Sequence, residues 1–439
     1  MMLWHICLEE AMNSLCVMVC HNPAGTLSMD ARGVVSFRYF KGYDGTPLSM
    51  SMPVTGIEYA QKVVRPYLFG LLPDSEDQRA AIAKEYGISP NNPVALLSHI
   101  GLDCPGAVQF CTQHDLAIAS VIARKGEYRP LTDHEIADRL KIIRNDRDST
   151  WVGIDERWSL GGNQGKFALA HVDDKWCSCV GAAPTTHIIK NGVIGFKYQA
   201  LNEYVCMRVA KLCGINAADV SYRFFEDEPA LIIKRYDRIK RKDGHVTRCH
   251  QEDMCQAMAV MPDKKYTSDG GPKTQDIIGV ISKLSFSKGS LEPFVKMLFY
   301  NCLIGAPDAH AKNYAILYAN ELDTILAPMY DVASGLAYDL TRNNGRLAMA
   351  IGGENRFGRI SGNKIRKFAG KNETKIAAIF DRNEVTADWC IDTMASLAQS
   401  VPSAMEHVFA ETDVDGIDEL CDHMMHHVAG NCNRILSLL

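Results

Sequence analysis

The chain has 439 residues, of which 47% are apolar and 23% charged, with a formal net charge of −5. These values fit a globular protein of two or three domains and exclude a disordered, fibrous or collagen-like chain. No global basic excess marks a nucleic-acid binder, and no uncharged apolar run reaches the roughly 20 residues that span a bilayer.

The first stretch, MMLWHICLEEAMNSLCVMVC, is apolar but broken by Glu9 and Glu10. It lacks the basic start and small-residue cleavage site of a secretion signal, so a cytoplasmic protein without membrane partners is expected. The 15 cysteines then read as reduced, mostly buried side chains. Residues 17–60 read as short strands, with GVVSFRYF (33–40) alternating apolar and polar positions. Helical spacing follows over 66–100. LPDSEDQRAAIAKEYG starts on Pro, Asp and Ser and stops at Gly87, and LLSHIGLDCPGAVQF gives a short helix, a turn and a strand. The charged segment ADRLKIIRNDRDSTW closes a mixed first unit, 1–145.

A β-rich second unit, 146–240, opens with the glycine loop of RWSLGGNQGKFALAHVDDKWC and continues into an alternating strand. TTHIIK is a strand ending at Lys190, NEYVCMRVAKLCGI an amphipathic helix stopped by Gly214, and PALIIKRYDRI a strand that runs into charge. The third unit, 241–439, is mostly helical, with a loop-rich interruption at 303–335. Cys177 and Cys179, and the group Cys421, His423, His426 and His427, lack the paired spacing of a zinc module and read as packing. The class is α+β. A small β lobe followed by a larger helical one suits a nucleotide held in the cleft between them.

The chemistry concentrates in LIGAPDAHAKNYAILY (303–318). Asp308 and Asn313 stand at D-x4-N, the spacing at which a kinase loop places a base and a metal-binding amide. Asp331, in APMYDVAS, follows as a second candidate carboxylate, with a strand-like segment between. Hard oxygen ligands of this kind suit Mg²⁺. Taken alone, D-x4-N reads as a loop whose Asp and Asn cap a helix or shape a turn. SLGGNQGK (159–166) can turn backbone N–H groups toward phosphates, but it matches neither the Walker A nor the G-x-G-x-x-G pattern, and an ordinary hairpin has the same composition. Lys190, closing its strand, stands where a phosphate-contacting lysine would, and Glu203 on the next helix can pair with it or simply favour a helix N-terminus.

Six separated motifs in order, LLPDS (71–75), PTTHIIK (184–190), QEDMCQ (251–256), KYTSDGGP (265–272), DAHAKN (308–313) and YDVAS (330–334), closely resemble the HipA family, the toxin halves of bacterial HipBA toxin–antitoxin systems. The resemblance runs from about residue 30 to the C-terminus and implies a serine/threonine protein kinase. The implied fold is protein-kinase-like and two-lobed, with a mixed N-terminal subdomain and a helical C-lobe. It implies Asp308 as catalytic base and Asn313 and Asp331 as Mg²⁺ ligands. ATP would be bound by Gly161, Gly162, Asn163, Gln164, Gly165 and Lys166 of the loop, by Lys190, by the hinge Lys234, Arg235 and Tyr236, and by His310, Ala311, Lys312, Asn313 and Tyr330. Ser159 matches an autophosphorylated serine that switches the kinase off. At the hinge, Lys234 and Tyr236 replace the family's usual Glu and Phe, and GGNQGK replaces AGAQEK in the loop.

The resemblance further implies a helix-turn-helix antitoxin partner like HipB and contact with operator DNA inside that complex. It implies an aminoacyl-tRNA synthetase as substrate, with arrested growth as the result. The basic run NRFGRISGNKIRKFAGK (355–371) offers Arg356, Arg359, Lys364, Arg366, Lys367 and Lys371 for DNA phosphates, or a solvated helix face. Two other readings compete: a small-molecule phosphotransferase, which also uses Asp–Asn–Asp, and an inactive kinase-like corepressor.

Overall fold

The computed structural model describes residues 14–112, 121, 126–145, 153, 155–193, 195–319, 323–338, 345–370 and 373–439. β1 (Ser14–Val19), β2 (Asn22–Met29) and β3 (Val35–Tyr39) run antiparallel, with the short β4 (Glu58–Tyr59) on the far edge of β3. Alternation in β3 buries Val35, Phe37 and Tyr39 and leaves Ser36 and Arg38 outside. Gly25 is demanded by close approach, because a Cβ there would lie 2.3 Å from the Arg38 carbonyl oxygen. α1 (Gln61–Leu71), α2 (Glu76–Tyr86) and α3 (Pro93–Ile100) follow, and β5 (Val108–Thr112) completes a sheet of order β4-β3-β2-β1-β5. α2 begins where the Ser75 hydroxyl accepts the Gln78 N–H and ends at Gly87 with φ +64°, as its sequence predicts.

β6 (Gly126–Pro130), α4 (Asp133–Asn145), β7 (Phe167–Val172), β8 (Lys175–Gly181), β9 (His187–Lys190), α5 (Gln199–Leu212), β10 (Val220–Phe225) and β11 (Glu228–Lys234) build the second sheet and its helices. Its order is β10-β11-β9-β7-β8-β6, so β6 crosses from the charged first-unit region to pair with β8. Both sheets share one apolar core, with Val17, Phe37, Tyr67, Phe110, Trp158 and Phe167 within it.

The C-terminal lobe starts with a hairpin, β12 (Arg238–Lys240) and β13 (Val246–Arg248). β14 (His250–Asp253) runs into the one-turn helix α6 (Met254–Ala257), whose Asp253 and Gln256 form a capping box. Next come α7 (Thr274–Ile281), α8 (Lys288–Leu303), β15 (Ala315–Tyr318), β16 (Thr324–Leu326), β17 (Arg346–Ile351), β18 (Glu354–Arg356), α9 (Gly362–Phe368), α10 (Thr374–Arg382), α11 (Ala387–Glu411) and α12 (Ile417–Leu436). The sheet β14-β15-β16 and helix α8 hold the two ends of the 304–314 loop. Asn431 of α12 donates to the carbonyls of Cys302 (2.9 Å) and Leu303 (2.8 Å), closing the C-terminal end of α8.

The joint between these parts is ionic and buried. Asp103 accepts from Arg238 (2.8 Å), Arg248 (2.7 Å) and the Thr185 hydroxyl (2.7 Å) and pairs with Arg235 at 3.3 Å. Asp237 pairs with Arg235 and Arg238 at 2.8 Å each, and both arginines donate to the Cys104 carbonyl. Among the described residues there is no disulfide, no cluster of three or more His, Cys, Asp or Glu fit for a metal, and no helix long and apolar enough to cross a membrane.

Candidate active site

The two lobes face each other across a cleft of about 1200 Å³. The whole of loop 161–166, Lys190, the hinge 234–236, Asp308, His310, Lys312, Asn313, Tyr330 and Asp331 line it. Of the residues expected to meet a nucleotide, Ala311 is the exception: it is fully buried in the C-terminal core behind the loop.

The lower wall is the 304–314 loop. Gly305, with φ +62°, turns the chain out of α8, and residues Ala311–Asn313 form a single 3₁₀ turn before β15. The Asn313 side-chain amide donates to the backbone carbonyls of Asp308 (2.9 Å) and Asp331 (3.2 Å), pinning two loops together. Its Oδ1 takes no part in either bond, and Asn313 lines the cleft. The Asp308 carboxylate is 67% exposed and accepts the Tyr266 hydroxyl. Desolvation by the surrounding cleft walls, with the Asp331 charge adding to it, still pushes its carboxyl up, against that hydrogen bond. His310 packs edge-on against Tyr266, and burial drives its pKa down to about 3, so the ring is neutral.

The upper wall is the second sheet. Lys190 Nζ pairs with Glu203 at 2.8 Å and donates to Asp331 Oδ1 at 2.6 Å, reaching from one lobe to the other. Of the two readings the sequence leaves open for Glu203, the strand-lysine to helix-glutamate pair is therefore the one present. Burial opposes the ammonium charge, and the two carboxylates more than restore it. Burial lifts Glu203 to about 7 despite Lys190. Asp331 is held well below the usual range by Lys190 and Lys166, in spite of burial. Its backbone has φ +59°, a left-handed conformation that costs a non-glycine residue about 1–2 kcal/mol. Asn313 and Asp331 thus bring an amide oxygen and an ionised carboxylate to the same cleft, hard-oxygen donors of the kind that fits Mg²⁺.

The glycine loop lies across the cleft. Lys166 donates to the Gly161 carbonyl (2.7 Å), and burial lowers its pKa to about 8. Ser159 is 1% exposed, and its hydroxyl donates to the Leu71 carbonyl at 2.5 Å. Gly161 is pressed on α1, where a Cβ would lie 2.5 Å from the Gly70 carbonyl oxygen. At the hinge, the amides of Lys234 and Arg235 donate to the carbonyls of Asp219 and Thr186. The Arg235 guanidinium is engaged in the buried network around Asp103 and its amide by Thr186, so a nucleotide contact there narrows to its main-chain carbonyl. Tyr236 keeps an aromatic face beside Tyr330, with ring centroids 5.9 Å apart.

Sequence reasoning gave no role to Asp74, Lys265, Tyr266 or Asp253, all of which line the cleft. LLPDS, KYTSDGGP and QEDMCQ, the motifs that contain them, were the available signal. In the basic run, Arg356 pairs with Glu354 (2.8 Å) on β18, Arg366 lies 3.8 Å from Asp388, and Lys371 falls outside the described residues.

Two family models match the chain: HipA N-terminal domain over residues 15–111, and HipA-like C-terminal domain over residues 158–404. A Sinorhizobium fredii relative, Y4mE, whose kinase name is provisional, is 31% identical over 420 residues, 94% of this chain and 96% of its own. The serine/threonine-protein kinase toxin HipA of Shewanella oneidensis is 26% identical over 433 residues, 94% of each chain. Among solved structures, Shewanella oneidensis HipA in complex with HipB and operator DNA matches with a TM-score of 0.79 at 23% identity, over 97% of this chain and 98% of that one. That likeness is one of fold, two-lobed and kinase-like.

Proposed function

This chain belongs to the HipA family, and from that premise we propose that it is a serine/threonine protein kinase toxin that moves the γ-phosphate of ATP to a serine of another protein. The observation that carries this is the convergence on Asn313: one side chain ties Asp308 to Asp331, and Lys190 of the opposite lobe reaches Asp331 at 2.6 Å.

In this reading Asp308 faces the acceptor hydroxyl and takes its proton. Lys190 and the N–H groups of loop 161–166 hold the phosphates, and Tyr236 and Tyr330 pack on the adenine. Asn313 and Asp331 would hold Mg²⁺, which when bound offsets phosphate charge. The buried Ser159 matches the family's self-inhibiting site. It becomes a substrate once the glycine loop leaves α1, and a phosphate there would oppose the loop's return by adding about −1.5 to −2 charge in a buried position. An aminoacyl-tRNA synthetase is the proposed target, and a helix-turn-helix antitoxin on operator DNA the proposed partner, both in the cytoplasm.

Incubation with γ-labelled ATP and Mg²⁺ tests the reading. Label should enter protein in wild type and vanish in Asp308→Ala or with chelator, and phosphopeptide mapping should find Ser159. Equal labelling of the Asp308 variant refutes the base, whereas an unlabelled wild type that still represses its operator points to a corepressor. Mass spectrometry of synthetases after brief expression separates a protein target from a small-molecule one.

A further inference from the structure

The end of α1 and the turn into α2 belong to the N-terminal unit, yet Gly70, Asp74 and Ser75 there form part of the cleft wall. The transfer chemistry uses neither this turn nor the QEDMCQ segment behind it. Their contacts give them a purpose.

Asp74 sits in that turn with its side chain 10% exposed. Oδ1 accepts from Lys312 Nζ at 2.8 Å and from the Gly162 amide at 3.4 Å. Oδ2 accepts from Lys265 at 2.9 Å. Its own amide donates back to the Gly162 carbonyl at 3.0 Å, and Pro73 bridges Gly162 in parallel. One carboxylate therefore holds three segments: the glycine loop, the KYTSDGGP segment and the loop carrying Asp308 and Asn313. Around it the glycine loop leans on the same element. Ser159 bonds Leu71, Gly161 abuts Gly70, and Gln78 of α2 donates to the Asn163 carbonyl at 3.2 Å. Gln256 braces the turn from behind, donating to the Tyr67 carbonyl at 3.0 Å and filling the space beside Gly70.

We propose that Asp74 is a positioning residue that locks the glycine loop to the catalytic loop, so that the N-terminal unit sets both ATP affinity and the rate of transfer. The proposal rests on the kinase reading above. Two consequences separate by chemistry. The Gly162 contact fixes the cover over the phosphates and acts on ATP binding. The Lys312 contact fixes the residue next to Asn313 and acts on the transfer step. Without the carboxylate, Lys312 retains Asp253, but at 3.9 Å. Displacement of reacting groups by about 1 Å costs up to roughly 100-fold in rate.

The test uses the full chain, with kcat and KM for ATP measured beside hydrogen-exchange protection of residues 159–166. Asp74→Asn keeps an acceptor for Gly162 but no charge for the lysines, and should lower kcat about 10-fold or more with a smaller rise in KM. Asp74→Ala should raise KM as well and strip protection from the loop. Gly161→Ala, which forces the loop off Gly70 without touching the carboxylate, should reproduce the KM rise. Wild-type kinetics and loop protection in Asp74→Ala overturn the proposal. So does a loss of activity that only follows the unfolded fraction. Should Asp74→Ala fail to fold, an unchanged kcat in Asp74→Asn overturns it equally. Wild type and Asp308→Ala run alongside: no transfer by wild type sinks the kinase reading, full transfer by the variant refutes only the base, and the exchange result on Asp74 stands by itself in either case.

Discussion

Glu252 shows how a single buried carboxyl ties stability to pH. It lies on β14 and accepts from the Ser49 hydroxyl (2.5 Å), the Met50 amide (2.7 Å) and the Tyr318 hydroxyl (2.6 Å). Burial still pushes it up to about 7 from 4.5. A carboxyl with a folded value above its unfolded one holds its proton more tightly in the folded chain. Its contribution is complete below the unfolded value and is lost as the pH rises through 7. Tyr318→Phe removes a donor to the ionised form and raises the folded value further. The drop in Tm relative to wild type should therefore widen between pH 5 and pH 8, and a constant difference would show that Tyr318 only packs. Asp331 makes a separate point at this scale. Its left-handed backbone is tolerated where Lys190 and Asn313 grip it, and Asn is among the residues that accept that conformation. Asp331→Asn should then abolish phosphate transfer while the chain still folds, with Tm lowered by the loss of one of the two carboxylates on buried Lys190, as read by labelling and thermal melting.

Among the elements, α12 acts on the catalytic loop without touching it. Asn431 satisfies two carbonyls at the end of α8, just before Pro307 and Asp308 turn outward. Asn431→Ala removes a partner from both carbonyls, leaving Cys302 only backbone amides such as that of Gly305 (3.2 Å), which should cost about 1–3 kcal/mol in unfolding free energy from denaturant titration and slow transfer by loosening the loop. What the sequence makes legible here is local. Ser75 and Gly87 bound α2 because caps are properties of a few adjacent residues. Lys190 and Glu203 are readable because a strand end and the next helix lie a short way apart. Asp74 is not readable in that way. It is 88 residues from Gly162 and 238 from Lys312, and no local pattern announces a carboxylate that serves another unit. Arg235 is the opposite case. Its place in the hinge strand is legible, but its side chain answers to Asp103, 132 residues earlier. Ala311 sits within a legible motif and is buried by the core packing of its neighbours.

For the whole molecule, a net charge of −5 leaves any DNA contact to a local patch. Arg356 is already paired with Glu354, so Arg359, Lys364 and Lys367 are the better candidates in the basic run. If the antitoxin complex rests them on operator phosphates, changing all three to Glu should flatten the slope of log affinity against log salt by about 0.9 for each phosphate no longer neutralised. An unchanged slope in a filter-binding series would remove this face from the interface.

The arginine network around Asp103 also fixes where the chain can be probed for opening. Cys104 lies directly beneath Arg235 and Arg238, its thiol fully covered and pushed up by burial. Such a sulfur is inert toward alkylating reagents until the N-terminal unit parts from the hinge. The rate at which iodoacetamide captures that one position is accordingly a stopwatch for a rare excursion, running without any added chromophore.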